Sequence, residues 1–271
     1  MKLNARPPLL AAASIAFVFA LALPTAALAR LFRNPKLPNH VLLEKYLPPV
    51  ADQGESSSCV GWATAYYCFS YAVNKARKST SIEVKNPHYQ FSPAFIWHQF
   101  NGGDGSRGMT ISEAFDMLRT QGCATMDEMR WDGKDFTSQP SAAVKASARR
   151  FMPSQTVNLM AQSKKADPEV FKAWLAERRV PFVIGVRVFQ DFQAAPHDPD
   201  YVYKNPADND SSNSVVGGTA LTVIGYDNAN RAFRIVNSWG TSWGDKGKLW
   251  LSEDYVAQRT SEAWGVVPRR L

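Results

Sequence analysis

The chain has 271 residues, 45% hydrophobic and 20% charged, enough apolar material for one large domain or two packed lobes. No polar low-complexity tract and no internal repeat occurs, which excludes a disordered chain or a repeat array. Net charge is +7, and removing Lys2 and Arg6 with the N-terminal segment leaves +5. The remaining basic residues are scattered, in pairs such as Lys164-Lys165, Arg178-Arg179 and Arg269-Arg270. A nucleic-acid site calls for a basic stripe with interleaved aromatics, so no nucleic-acid partner is expected.

In chain order, residues 1–29 read as a signal peptide. Lys2 and Arg6 form a positive start, Leu9 to Leu23 are apolar apart from Ser14, Pro24 breaks the run, and Ala27-Leu28-Ala29 offers a small-x-small cleavage site before Arg30. A retained membrane anchor is the competing reading, but the run is shorter than the ~20 residues a span needs. No cysteine stands at the cleavage site to carry a lipid. The expectation is cleavage after Ala29, a secreted or periplasmic protein, and no membrane contact afterwards.

Residues 30–50 carry Pro35, Pro38, Pro48 and Pro49 and read as an extended lead-in. From Cys59 to about Lys78, Trp62, Ala63, Ala65, Tyr66, Phe69, Ala72 and Val73 recur at helical spacing and predict a core helix. Ser92-Pro93 opens a second helix that the Gly102–Gly105 stretch ends. Thr110-x-x-Glu113 is a capping-box pattern before a helix at Ala114–Leu118. Asp167-Pro168 opens another, to about Arg178.

Beyond it the character changes. Val180–Val188 and Val215–Tyr226 are β-branched runs. Arg231–Val236 alternates after the turn Asp227-Asn228-Ala229-Asn230, and Lys248–Leu251 follows a glycine-rich loop. A helical first half and a strand-rich second half predict an α+β fold. The domain would span residues 51–271, divided into a helical lobe (about 51–160) and a β-rich lobe (about 161–271) with a cleft between them.

Four short blocks carry chemistry. Gln53-Gly54 precedes Cys59, the first residue of the predicted core helix. Gly218-Thr219-Ala220-Leu221-Thr222-Val223-Ile224-Gly225-Tyr226 forms a strand, and Asn237-Ser238-Trp239-Gly240-Thr241-Ser242-Trp243-Gly244 follows it. Together they resemble the catalytic blocks of papain-like cysteine peptidases, in a bacterial-type branch with Val60-Gly61 inserted before Trp62. The resemblance runs from about residue 42 to 266 and implies the papain-like two-lobe fold.

It also implies roles. Cys59 corresponds to the nucleophile and Gln53 to the oxyanion-hole donor, partnered by the Cys59 backbone N–H. Asn237 corresponds to the residue that orients the general base, with Trp239 shielding that contact. Gly218 borders the substrate. The glycines of the opposite substrate wall have two candidate placements, Gly102-Gly103 or Gly108. The base position, however, holds Thr219 instead of histidine. Threonine accepts no proton near neutral pH, and without an imidazolium partner Cys59 returns toward an ordinary thiol.

Four histidines exist in the chain. His40 precedes the domain, His88 and His98 belong to the helical lobe, and His197 lies in a polar loop with Asp198, Asp200, Asp208 and Asp210, from which it would have to act as substitute base. Papain-like zymogens carry a long helical propeptide, for which residues 30–50 leave no room. With Cys59 free, Cys68 and Cys123 are left either as a disulfide or as two buried thiols.

Three functions compete: a cysteine peptidase impaired or inactivated by Thr219, a non-catalytic protein that holds a peptide or protein partner in its cleft, and a thiol-reactive protein using Cys59. No cofactor is expected and no metal, since Cys-x-x-Cys and His-x-x-x-His are absent and the aspartates of the 198–210 loop lack EF-hand order. Oligomeric state is left open.

Overall fold

The computed structural model describes residues 37–163, 165–204 and 213–269. The expected signal segment, residues 30–36, and Asp208 and Asp210 of the polar loop lie outside the described residues.

A long helix begins at Cys59 and organises the rest. It is α-helical over Cys59–Gly61, π-helical over Trp62–Phe69 and α-helical again over Ser70–Arg77, ending at a left-handed Lys78. Every residue from Val60 to Asn74 is buried, so no face of that stretch is left for solvent. Trp62, Tyr66, Tyr67 and Tyr71 pack into one apolar cluster with the sheet, while Ala63, Ala65, Cys68, Phe69, Ala72 and Val73 pack into a second cluster with the other helices.

The sequence pattern predicts the helix but not its π-helical middle. Side-chain hydroxyls there reach main-chain carbonyls that a regular ladder would engage: Thr222 Oγ1 donates to Ala63 O (3.0 Å) and Ser70 Oγ to Ala65 O (3.2 Å).

Helix α1 (Pro93–Asn101) starts where Ser92 Oγ accepts the Phe95 N–H, and it ends at a left-handed Gly102. Helix α2 (Ile111–Gln121) has the complete capping box between Thr110 and Glu113. Helix α3 (Ala142–Ala148), capped by Ser141, is one the hydrophobic pattern missed. Helix α4 (Pro168–Arg178) is capped by Asp167, α5 (Gln190–Gln193) is a single turn, and α6 (Glu253–Arg259) is capped by Ser252.

Among the described residues, eight strands form one sheet: β1 (His40–Leu42), β2 (Gln155–Asn158), β3 (Phe182–Phe189), β4 (Val202–Tyr203), β5 (Val215–Asp227), β6 (Ala232–Val236), β7 (Lys248–Ser252) and β8 (Thr260–Val267). Their order is β2-β8-β3-β5-β6-β7-β4, antiparallel except for β4 beside β7. β3 pairs β5 only as far as Val223, and β1 takes up the remaining edge at Gly225–Asp227.

The lead-in is therefore part of the fold from residue 38 on. Val41, Leu43 and Leu47 are buried in the sheet-side cluster, and Tyr226 Oη donates to Pro38 O at 2.7 Å. A side chain at Gly225 would collide with Val41 O, which accounts for glycine in the middle of a β-branched run. β1 and β2 both join the sheet from the N-terminal side of the expected lobe boundary.

Cys68 and Cys123 are free, fully buried thiols that donate to main-chain carbonyls, Cys68 to Pro181 O and Cys123 to Ser92 O. Their places in the helical cluster match the small-hydrophobe reading of these residues.

The two halves are joined through the long helix. Tyr67 Oη accepts the Ala51 N–H (3.0 Å) and donates to Asn237 O (3.1 Å). Lys75 Nζ donates to Arg178 O at 2.6 Å, placing a cation on the C-terminus of α4. Tyr67→Phe removes both bonds while keeping the ring. A loss of about 1–3 kcal/mol is expected, read as a lower midpoint in urea unfolding at unchanged slope.

Candidate active site

Cys59 stands at the first turn of the long helix, where the chain arrives through the loop 53–58. That loop is held by its own polar groups. Gln53 N donates to Ser238 O (2.8 Å), Ser57 N to Gly105 O (2.8 Å), and Ser56 Oγ to Gln53 O (3.1 Å), with Ser56 and Ser58 hydroxyls 2.7 Å apart. The Gln53 side chain is fixed at both ends: Nε2 donates to Ser56 O and Oε1 accepts from Ser238 Oγ, each at 2.6 Å. A carbonyl oxygen only accepts, so the atom facing Ser56 O must be the amide nitrogen.

From the other side, β5 brings Gly218, Thr219 and Ala220 against Cys59. Thr219 is buried, and its hydroxyl donates to the Cys59 sulfur together with the Ala220 N–H. The N–H groups of Cys59 and Val60 also point at the sulfur. Burial nevertheless outweighs these donors and raises the thiol pKa above its ordinary value. At neutral pH the sulfur is therefore a protonated thiol.

A cavity of about 410 Å³ opens over this sulfur. The helical side contributes Gln53, Cys59, Gly108, Met109 and Ile111; the sheet side contributes Gly185, Val186, Gly218, Thr219, Trp239 and Glu262. Of the two glycine placements, Gly108 lines the cavity and Gly102-Gly103 do not. Among the described residues Glu262 is the one charged residue on the wall, and its carboxylate accepts the N–H groups of Ile111 (3.4 Å) and Ser112 (3.0 Å) at the start of α2.

Asn237 lies beneath the wall. Its Oδ1 accepts the Ser238 N–H at 2.8 Å, and its Nδ2 is buried with no partner among the described residues. Trp239 covers this end of the site, edge-on to Trp243 (5.4 Å) and Phe192 (5.8 Å).

Among the described residues no histidine reaches the cavity. His197 is exposed, with Nδ1 2.9 Å from Gly244 O, and is not on the wall. His98 is buried among tryptophans with Nδ1 on Ser138 O, His88 pairs with Asp127, and His40 with Asp227. Sequence reasoning missed Ser238 and Ser56, which hold Gln53, and it missed Glu262. Ser238 sits inside the Asn237–Gly244 block, whereas nothing local in the sequence pairs Glu262 with α2.

Residues 39–263 match the family described as papain family cysteine protease. The chain belongs to that family. Gamete and mating-type specific protein A of Dictyostelium discoideum is 28% identical over 220 residues, covering 78% of this chain and 42% of that protein. This papain-family chain thus spans less than half of that relative.

Among solved structures, xylellain, a cysteine protease from Xylella fastidiosa, superposes with a TM-score of 0.71 at 23% identity, over 91% of this chain and 90% of its own. Bromelain from Ananas comosus, solved in complex with the E64 inhibitor, gives 0.65 at 16% identity over 86% and 100%. These likenesses establish the papain-like fold.

Cys59 in this family member should resist alkylation at neutral pH. Its rate with iodoacetamide is expected to rise steadily with pH and to reach half-maximum above the ordinary thiol value, since only the thiolate attacks. Thr219→Val removes a donor to the sulfur and should displace the profile further upward. A neutral or acidic midpoint, measured by mass spectrometry, would contradict this account of the sulfur.

Proposed function

We propose that this chain is an exported papain-family protein that binds peptides in its cleft and hydrolyses them poorly or not at all. The observation that carries the reading is the pairing of Cys59 with the Thr219 hydroxyl, and we read residue 219 as the family's general-base position. Cys59 keeps the nucleophile's place, Gln53 the oxyanion donor's, Asn237 the orienting residue's and Trp239 the cover's. The unpartnered Nδ2 of Asn237 fits an orienting amide that has lost its base.

Peptide hydrolysis needs a group that takes the thiol proton and returns it to the leaving amine. A hydroxyl does neither. When a serine-protease triad loses its histidine base, turnover falls by about 10⁶. The burial that protonates Cys59 also disfavours the thiol-reactive alternative, which needs a nucleophilic sulfur. Gly108 and Gly218, on opposite walls, leave main chain accessible to an extended peptide.

Thr219→His is expected to bring Cys59-dependent cleavage of fluorogenic peptides above the level of the unmodified protein, and Cys59→Ala should abolish that gain. Robust Cys59-dependent turnover without the substitution would refute the non-catalytic reading. Export is tested separately: the protein recovered from outside the cytoplasm should begin at Arg30 when its N-terminus is sequenced.

A further inference from the structure

We infer that the cleft selects peptides by their free C-terminal carboxylate, held beside Cys59 by the unengaged N–H of Gln53. This inference rests on the non-catalytic reading above and adds the chemical class of the ligand.

The Gln53 amide has two N–H bonds, and Ser56 O takes only one. Gln53 lines the cavity and is buried, and no second acceptor for its amide N–H groups occurs among the described residues. Ser238 Oγ on Oε1 prevents the amide from turning over. Close by, the N–H groups of Cys59, Val60 and Ala220 and the Thr219 hydroxyl converge around the sulfur, so the positive ends of several dipoles face one small volume. The one acidic group on the wall, Glu262, is turned to the α2 amides.

What such a volume accepts depends on the charge of the sulfur. A thiolate there would satisfy the donors itself and repel a second anion. A protonated thiol is only a weak acceptor and carries no charge, so a stronger acceptor can draw these donors away from it. A carboxylate is acceptor-only and can use two oxygens at once. Hydrogen bonds to an ionised acceptor are roughly twice as strong as those to a neutral carbonyl. The cavity is open to solvent, so a carboxylate entering it keeps water on its outer side, unlike the buried sulfur, and the same wall favours a chain end over an internal peptide bond; the ligand resembles the acyl half of a cleaved peptide. Capture of terminal carboxylates by fixed N–H groups is a known mode of peptide recognition.

The test uses two matched pools of N-acetylated hexapeptides with identical randomised sequences, one ending in a free carboxylate and the other in a carboxamide. Each is passed over the immobilised protein at neutral pH, and retention is measured by mass spectrometry. The acid pool should be retained about tenfold more strongly than the amide pool. Gln53→Glu, which puts a carboxylate where the donor was, should abolish the preference for the acid pool, and an undiminished preference would overturn the inference.

A second arm needs no substitution. Raising the pH until Cys59 ionises should release the acid pool and leave the amide pool unchanged. Equal retention of both pools would overturn the carboxylate inference and leave the peptide-binding reading standing. Retention of neither, or cleavage of either, would overturn that reading and the inference with it.

Discussion

The fold depends on one long helix that has no solvent face from Val60 to Asn74. Small residues on one side let α1 come close, so that Gly61 packs directly on Pro93 O and Trp97 Cβ. Aromatic residues on the other side fill the sheet-side core, with Trp62 4.9 Å from Tyr66 and 5.4 Å from Trp131, ring centre to ring centre. A helix gripped on both sides cannot rotate or slide without opening one core or the other. Cys59, at its first turn, inherits that rigidity.

The site sets two opposing effects against each other at the sulfur. Neutral donors each contribute on the order of 1 kcal/mol net, whereas taking an ionised group out of water costs several kcal/mol. Several donors surround Cys59, yet none carries a full positive charge, and burial prevails. An imidazolium at position 219 would change the balance because a whole charge outweighs a set of dipoles at the same distance. Scaffold and chemistry are therefore separable here. The loop that clamps Gln53 through Ser56 and Ser238 requires nothing from residue 219.

Much of this was legible in the sequence, for identifiable reasons. Caps at Ser92, Thr110 and Asp167 work through local hydrogen bonds and so are written in consecutive residues. The cleft residues Cys59, Gln53, Gly218 and Thr219 could be named because they sit in short motifs, whereas Gly108 was one of two candidate placements that only the cavity separates. The features that were missed depend on distant partners. β1 exists because β5 outruns β3, β8 lies between β2 and β3 only after the chain has folded back, and α3 has a narrow apolar face with Ala148 as its sole buried residue. The π-helical turns answer to hydroxyls on Ser70 and Thr222, and the latter belongs to a strand far along the chain. Glu262 likewise acquires its meaning from α2, which no periodicity links to it.

The pairing of β1 with the far end of β5 has a practical geometric consequence. At ~3.3 Å per residue, Thr219 and Asp227 are separated by roughly 25 Å along one strand, and His40 is registered opposite Asp227. Chain leading into His40 therefore enters at the opposite end of the sheet from the cleft. An affinity tag or fluorescent fusion joined there would be anchored by β1 well away from the cavity, leaving the cleft clear for immobilisation in a defined orientation.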